Sequence, residues 1–439
     1  MKNVSSRRAA LRAIHDVSER GMTPKHALDP AAAHLDERDR AFAAELVYGV
    51  VRYRDSLDWL LKGFLRRPGG LGPNTLDNLR MAVYQIEFMR VPEWAAVNEA
   101  VLIEKRDGKP AVVNAVLRNY LRNKPQLPPA DLDNAETIAI RTSHPLWLVD
   151  RWMKRFGNAE ASALCEANNM QAATVLRFAS VERRNEALGT LNASGIDAAP
   201  ARLVPCGLVL PDGAKFDELA AILPFPYFVQ DEAAQLVGLL LNPSHGQRAL
   251  DLCAAPGGKT THLAELMRDA GEVVAVDRDE ARAGLICENT KRLGLTSVDV
   301  RIADATVFSD EKGFDHVLVD APCSALGTIR RNPDVKYRHT PSDLRRLQRA
   351  QLRILKNAGR LARSGGTLVY AVCSTEPEEG EEVIRGFLQH HRNFSIIEGE
   401  FAAFAGLRVC DALGFVGYRT FPHRDGMDGF FCSRLKRES

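Results

Sequence analysis

The chain of 439 residues is long enough for two or three domains, each with its own hydrophobic core. Its composition, 45% hydrophobic and 26% charged, is that of an ordinary soluble protein, and a net charge of +2 gives no sign of a polyanionic partner. The charge is unevenly distributed, because residues 1–124 hold 21 Lys and Arg against 15 Asp and Glu. This local basic excess suits contact with phosphates, and it equally suits a solvated helical surface.

The cysteines and the N-terminus restrict the class of protein further. The 8 cysteines form no Cys-x-x-Cys pair and have no histidine at zinc-ligand spacing, so we expect neither a metal site nor a disulfide framework. The first residues run directly into an amphipathic pattern without an apolar signal core, and no apolar run is long enough to span a membrane. The sequence therefore predicts a soluble, cytoplasmic protein.

Residues 1–140 are predicted to form an all-α bundle. Apolar positions recur with helical spacing, and glycine and proline residues separate the segments. The helical segments begin near Ala9 and continue at 42–51, 57–64, 76–88, 95–103 and 112–121.

Residues 141–225 predict a small α+β module. Two helical stretches, 146–156 and 159–167, precede a strand at 174–179. A helix at 183–191 and an extended segment at 203–210 follow.

Residues 226–439 predict an α/β domain of the Rossmann-like type. Apolar runs alternate with helices, which indicates a doubly wound, mostly parallel sheet with ligands at the carboxyl ends of its strands. Aromatic segments at 415–421 and 429–435 predict a terminal antiparallel hairpin. The predicted parallel strands are 249–253, 273–277, 298–302, 316–320 and 367–372, and the predicted helices are 260–267, 280–293 and 344–361.

A glycine-containing turn, residues 251–260, connects the first strand to the first helix of this domain, where backbone amides can approach a ligand. A P-loop would need glycine at Cys253, and the dinucleotide-binding G-x-G-x-x-G pattern is absent. The next two strands end in Asp277 and Asp304, which suit the ribose hydroxyls and the adenine edge of a nucleoside. This arrangement favours a methyltransferase over both alternatives.

Two further strands end in cysteines, in Asp320-Ala-Pro-Cys323 and Val372-Cys373. A thiolate that adds to carbon 6 of a pyrimidine makes carbon 5 nucleophilic toward an activated methyl group, and a second group must assist the later elimination. Asp320 suits a hydrogen bond to N3 or the amino group of the base, and Lys259 suits activation of a thiolate. Each cysteine taken alone is equally typical of a buried core residue.

These motifs resemble those of the bacterial small-subunit ribosomal RNA (cytosine-5)-methyltransferases of the RsmB/Fmu type. The N-terminal helices resemble that family's NusB-like RNA-binding domain through the motifs at 39–41, 45–50, 97–101 and 114–118. The resemblance covers nearly the whole chain and is carried in the C-terminal domain by residues 251–260, 320–324, 327–333 and 373–375.

The resemblance implies a fold of three parts: an all-α NusB-like bundle, a small α+β module and a methyltransferase domain. It implies that Cys373 is the nucleophile and that Cys323 assists product release, although DNA cytosine methyltransferases use the cysteine after proline as nucleophile. It also implies S-adenosyl-L-methionine as cofactor. The implied cofactor-binding residues are Cys253, Ala254, Ala255, Pro256, Gly257, Gly258, Lys259, Asp277, Asp304 and Asp320.

The sequence departs from the family pattern at three places. Val372 stands where the family usually has threonine, and Gly380 stands where it has asparagine, so the surroundings of the cysteines are open to change. The segment 171–180 lacks the usual Asn-Pro…Leu-Arg-x-Asn form.

A basic segment follows the strand that ends at Asp320. Its charged residues suit an RNA backbone track beside the cleft, and they also suit a solvated helix face. The residues are Arg330, Arg331, Lys336, Arg338 and His339, followed on a helix by Arg345, Arg346, Arg349, Arg353 and Lys356.

The expected function is S-adenosylmethionine-dependent methylation of carbon 5 of a specific cytidine in 16S ribosomal RNA, through a covalent bond between a cysteine and carbon 6. A non-enzymatic RNA-binding or antitermination factor would leave the strand-end cysteines and aspartates unexplained. A DNA methyltransferase would carry a target-recognition domain, and a nicotinamide-linked oxidoreductase would carry the missing glycine pattern. The identity of the cytidine and the oligomeric state have no signature in the sequence.

Overall fold

The computed structural model describes residues 5–65, 71–211, 213–214, 216–400 and 402–438, apart from the side chains of residues 106 and 107. These residues form two compact units. The first combines the chain up to Met170 with Ile329–Arg338, and the second combines Gln171–Thr328 with the chain from His339 onward. The domain boundaries at 140 and 225 stay a prediction.

The first unit is helical, as the sequence predicts. A nine-residue helix with an internal proline, Pro24–Ala32, is absent from the prediction because its periodic pattern is too short to recognise. The helices are α1 (Ser6–Arg20), α2 (Pro24–Ala32), α3 (Glu37–Arg52), α4 (Arg54–Lys62), α5 (Pro73–Glu87), α6 (Glu93–Asp107), α7 (Pro110–Asn123), α8 (Ala135–Thr142), α9 (Leu146–Phe156) and α10 (Asn158–Asn169).

Helix α1 shows how this bundle forms its core. Ala9, Ala13 and Ile14 recur on one face and are buried against the neighbouring helices. The helix ends at Gly21, whose φ of 65° lies in the left-handed region that favours glycine. Among the described residues, no helix has both the length and the apolar character needed to cross a bilayer.

The second unit begins with a small antiparallel sheet in the order β2-β3-β1-β4. Its strands are shorter than predicted, because residues 178–179 and 203–206 lie outside them. The elements are β1 (Thr174–Arg177), α11 (Val181–Ala193), β2 (Ala199–Pro200), β3 (Gly207–Leu210), α12 (Phe216–Ile222) and β4 (Phe228–Val229).

The rest of the second unit is built around a mixed nine-stranded sheet. All five predicted parallel strands and the predicted antiparallel hairpin are present. The elements are α13 (Glu232–Leu241), β5 (Arg248–Asp251), α14 (Gly258–Leu266), β6 (Glu272–Asp277), α15 (Glu280–Leu293), β7 (Val298–Ile302), β8 (Phe314–Asp320), α16 (Pro341–Leu361), β9 (Ala362–Val372), α17 (Glu381–His390), β10 (Phe394–Ile397), β11 (Arg408–Asp411), β12 (Gly414–Thr420), α18 (Pro422–Asp425) and β13 (Phe430–Arg437).

The strand order brings the predicted functional segments to one edge of the sheet. The order is β11-β12-β13-β9-β8-β5-β6-β7, with β10 paired to β13. Strands β9, β8, β5, β6 and β7 run parallel, so their carboxyl ends meet at the same edge. Asp320 pairs in register with Ala371, and the two cysteine-bearing segments therefore leave adjacent strands at the same level.

Candidate active site

The turn between β5 and α14 holds its backbone close to its neighbours. Gly257 has a φ of 99°, and a Cβ there would lie 3.2 Å from the Cα of Ile286. Arg282 and Asn289 of α15 donate hydrogen bonds to the carbonyls of Ala255 and Pro256, at 2.9 and 3.0 Å. Glycine is required here because both the backbone conformation and the close contact exclude a side chain.

Asp251, the last residue of β5, holds the end of this turn through a side-chain hydrogen bond. Its side chain is fully buried and accepts a hydrogen bond from Thr260 Oγ1 at 2.7 Å. Burial raises the pKa of Asp251 to about 7. The hydrogen bond ties the first turn of α14 to the end of the strand.

Asp277 lies at the end of β6 with geometry that fits a nucleoside ligand. One carboxylate oxygen accepts from the amide of Ala255 and the other from the amide of Asp279, each at 3.1 Å. A carboxylate oxygen accepts two hydrogen bonds, so each retains capacity for a ribose hydroxyl. Asp304, at the end of β7, is exposed and accepts from Thr306, which lowers its pKa below the ordinary value.

The two strand-end cysteines lie in direct contact. The Sγ atoms of Cys323 and Cys373 are 3.3 Å apart. The hydrogen bond with Cys373, together with burial, raises the pKa of the Cys323 thiol well above its ordinary value. The two sulfurs are thus within hydrogen-bond distance, and either thiol can be the donor.

Lys259 lies beside this pair. Its ammonium donates to Asp320 Oδ2 at 2.6 Å. Burial alone would lower the pKa of Lys259, but the Asp320 carboxylate outweighs burial, and Cys373 acts in the same direction, so the pKa rises. Lys259, Asp320, Cys323 and Cys373 therefore form one electrostatically coupled group.

Arg177 contacts the glycine turn and the start of α14, and no sequence motif pointed to this residue. It leaves β1, is fully buried and forms an ion pair with Glu265 at 2.8 Å. Its guanidinium also donates to the carbonyl of Gly258 at 2.6 Å and to Thr261 Oγ1 at 2.8 Å. The only sequence signal was the Leu176-Arg177 pair, in a segment that otherwise departs from the family pattern.

The predicted basic track is only partly correct. Arg330 and Lys336 are buried in the first unit, where the ammonium of Lys336 donates to the carbonyl of Arg52 at 2.8 Å. These two residues cannot contact phosphates without unfolding that segment. The predicted basic residues of α16, from Arg345 to Lys356, are exposed.

Comparison with known proteins identifies the family. The model of 16S rRNA methyltransferase RsmB/F matches residues 238–436, the NusB family matches 4–122, and the RsmF/B-like ferredoxin-like domain matches 144–217. Probable ribosomal RNA small subunit methyltransferase B of Bacillus subtilis (strain 168) is 36% identical over 92% of both chains. Ribosomal RNA small subunit methyltransferase B of Sodalis glossinidius is 36% identical over 98% of this chain and 97% of its own. The chain belongs to the small subunit methyltransferase B family.

Solved structures agree with this membership. The structure titled "Crystal Structure of PH0851" has a TM-score of 0.80 and 26% identity and covers 99% of both chains. A methyltransferase homolog from Pyrococcus horikoshii has a TM-score of 0.60 and 26% identity over 71% of this chain and all of its own. The predicted family, its three-part fold class and its S-adenosylmethionine cofactor are confirmed, and the chain is a methyltransferase.

Proposed function

We propose that this methyltransferase modifies carbon 5 of a specific cytidine in 16S ribosomal RNA through a covalent bond between Cys373 and carbon 6 of the base. The contact between Cys323 and Cys373 carries the proposal, because it places a second thiol within hydrogen-bond distance of the sulfur that would attack the base. The names of the relatives support ribosomal RNA as substrate and partner, and cytosolic ribosomal RNA implies a cytoplasmic enzyme.

The residues proposed to hold the cofactor are the turn from Cys253 to Lys259 with Asp277, Asp304 and Asp320. Gly257 lets the turn pack tightly against α15, and Asp277 retains acceptor capacity for ribose hydroxyls. The bound cofactor supplies an activated methyl group at the carboxyl edge of the sheet.

Cys373 acts first, as the nucleophile. Its thiolate forms the bond to carbon 6, and the electron pair of the 5,6 double bond shifts so that carbon 5 becomes nucleophilic. The positive charge of Lys259 interacts with this sulfur. Asp320, which is 30% exposed at its side chain, accepts a hydrogen bond from the amino group of the base.

Cys323 closes the proton balance after methylation. The carbon 6–sulfur bond breaks, its electron pair stays on Cys373, and the proton of Cys323 moves to that sulfur across 3.3 Å. Cys323 takes in its place the proton that leaves carbon 5, whose bonding pair restores the 5,6 double bond. Cys323 is thereby restored as a thiol, and Cys373, now also a thiol, loses its proton to solvent to regenerate the attacking thiolate.

The exposed cations of α16 are proposed to bind the RNA backbone. Arg349, Arg353, Lys356 and Arg360 follow one another at intervals of three or four residues and are exposed. Such a row of charges matches a row of phosphates, and the target base enters the cleft unpaired or flipped from its stack.

The test is transfer of labelled methyl from S-adenosylmethionine to unmodified small-subunit ribosomal RNA. We expect Cys373→Ala to lose about a thousandfold or more in rate, because no other group replaces the nucleophile. Cys323→Ala is expected to accumulate an RNA–protein adduct on a denaturing gel. Cys410→Ala, an exposed cysteine on β11, is the matched control and keeps the wild-type rate.

Two results would contradict the proposal. An adduct in Cys373→Ala instead of Cys323→Ala would exchange the roles of the two cysteines. Methyl transfer by the wild type to another atom, or to no ribosomal RNA, would reject the function itself.

A further inference from the structure

Glu379 is a fully buried carboxylate between the two cysteine-bearing segments. It lies in the connection between β9 and α17, six residues after Cys373. One oxygen accepts from the amide of Ser324 at 2.8 Å, and the other accepts from the hydroxyls of Ser324 and Ser374, the latter at 2.6 Å. Each serine directly follows one of the cysteines.

The carboxylate is saturated by donors. Gln351 of α16 supplies a fourth hydrogen bond, from its side-chain amide at 3.0 Å, so each oxygen accepts two. An ionised carboxylate accepts about four hydrogen bonds, and it has no proton to donate. All of its acceptor capacity is therefore spent on holding neighbouring segments, and none remains for a substrate.

Other contacts brace the same two segments. The amide of Gln351 also donates to the carbonyl of Pro322, which precedes Cys323, at 3.0 Å. Arg419 of β12 donates to the carbonyl of Ser374 at 2.7 Å and pairs with Glu381. The segments around both cysteines are thus held on each side, and Glu379 is the group that joins one segment to the other.

We propose that Glu379 is a positioning residue that fixes the distance between the sulfurs of Cys323 and Cys373 by binding the serine after each cysteine. The consequence for catalysis rests on the proposed covalent mechanism, in which a proton passes directly between these sulfurs. The negative charge of Glu379 also disfavours a thiolate at Cys323. It therefore adds to the effects of the Cys373 hydrogen bond and of burial, which raise the pKa of Cys323.

The expected effect lies in the chemical steps and not in substrate binding. A misplacement of about 1 Å at reacting groups costs on the order of a hundredfold in rate. Glu379→Ala is therefore expected to lower kcat about a hundredfold, with KM for RNA and for S-adenosylmethionine within about twofold of wild type. Glu379→Gln, whose amide group can face the two hydroxyls and let them accept, is expected to lose only about tenfold.

A second experiment measures how readily the sulfurs of Cys323 and Cys373 form a disulfide, and it does not depend on methyl transfer. Diamide removes two electrons and two protons from the paired thiols and becomes the hydrazine, while the sulfurs form a disulfide. We expect the rate of Cys323–Cys373 disulfide formation, followed by mass spectrometry of peptides, to fall at least tenfold in Glu379→Ala. The control is Glu382→Gln, which contacts Arg345 and Gln348 of α16 and reaches neither cysteine segment.

Serine variants provide a test that avoids loss of the buried carboxylate. Ser374→Ala removes the hydrogen bond between Glu379 and one segment, whereas Ser324→Ala removes only the hydroxyl bond to the other segment and leaves its amide bond. The double variant should therefore be little worse than Ser374→Ala alone. Independent, multiplying effects on kcat would overturn the proposal, and so would an unchanged disulfide rate in Glu379→Ala or a loss expressed in KM alone. If the wild type methylated no cytosine carbon 5, the proposed function would fail, whereas the disulfide rates would still decide the role of Glu379.

Discussion

Arg177 shows how much of the site depends on single buried side chains. Its guanidinium joins β1 of the small sheet to the first turns of α14, through Gly258, Thr261 and Glu265. Because Gly258 belongs to the turn proposed to hold the cofactor, Arg177 positions that turn. A bidentate or forked set of contacts of this kind requires the guanidinium and is not reproduced by an ammonium.

We expect Arg177→Lys to weaken S-adenosylmethionine binding about tenfold. The lysine retains a charge for Glu265 but cannot donate to Gly258 and Thr261 at the same time. Isothermal titration calorimetry measures the change directly. Arg183→Lys, at an exposed arginine of α11 paired with Glu186, is the control and should leave affinity unchanged. Equal affinities in wild type and Arg177→Lys would show that the turn holds its shape without this contact.

The departures from the family pattern also have a local explanation. Val372 is fully buried in the sheet core, where an apolar side chain packs. A Cβ at Gly380 would lie 2.5 Å from Nη2 of Arg419 and 3.0 Å from the ring of Phe431. A larger residue there would require these side chains to move, including Arg419, which donates to the carbonyl of Ser374.

At the scale of elements, α16 combines a structural face with a basic face. Thr340 and Asp343 form a capping box at its start, and Pro341 occupies its first position. Ile354, Leu355 and Ala358 are buried in a hydrophobic core together with residues of the sheet strands. The opposite face carries the exposed arginines and lysine that we propose to bind RNA.

Charge reversal on α16 should weaken RNA binding in a salt-dependent way. We expect Arg349→Glu with Arg353→Glu to reduce affinity for small-subunit ribosomal RNA at least tenfold and to lower the slope of log affinity against log salt by about 2, one for each lost phosphate contact. Filter binding at several salt concentrations gives both quantities. Lys312→Glu with Arg392→Glu, at two exposed cations outside α16, is the matched control because it changes the net charge by the same amount. An equal loss of RNA affinity in the control would show that binding depends on the net charge of the protein and not on the position of these arginines.

At the scale of the whole molecule, the chain passes between the units more than once. Ile329–Arg338 leaves the methyltransferase sheet and belongs to the helical unit, where Lys336 is fully buried. Burial lowers the pKa of Lys336 to about 7. The folded protein therefore releases this proton near pH 7, whereas the unfolded chain keeps it to about pH 10.5.

This difference predicts a stability that depends on pH. Between about pH 7 and 10.5 the unfolded chain binds the extra proton, so the contribution of Lys336 to the free energy of unfolding rises with pH, by at most about 1.4 kcal/mol per pH unit. Lys336→Met should remove this rise. Urea unfolding at pH 7, 8 and 9 measures it, with the exposed Lys25→Met as control. Parallel pH profiles for wild type and Lys336→Met would show that Lys336 stays charged in the folded protein.

Elements with a periodic or motif signal could be predicted from the amino-acid sequence. The five parallel strands, the helices of the bundle, the glycine turn and both strand-end cysteines follow from local patterns, because apolar periodicity and turn residues act over a few positions. The two-residue strands β2 and β4 of the middle module and the nine-residue helix α2 escaped prediction, since such short segments carry too little periodicity.

Contacts between side chains that are distant in the sequence became visible only in the folded protein. Glu379 is one of several glutamates in its segment, and Arg177 is one arginine among many, yet each is buried among partners distant in sequence. The same holds in reverse for Lys336, a basic residue that the sequence assigned to an RNA surface and the fold buries. Hydrogen bonds and burial of this kind depend on packing between elements, and packing brings together residues that no local pattern relates.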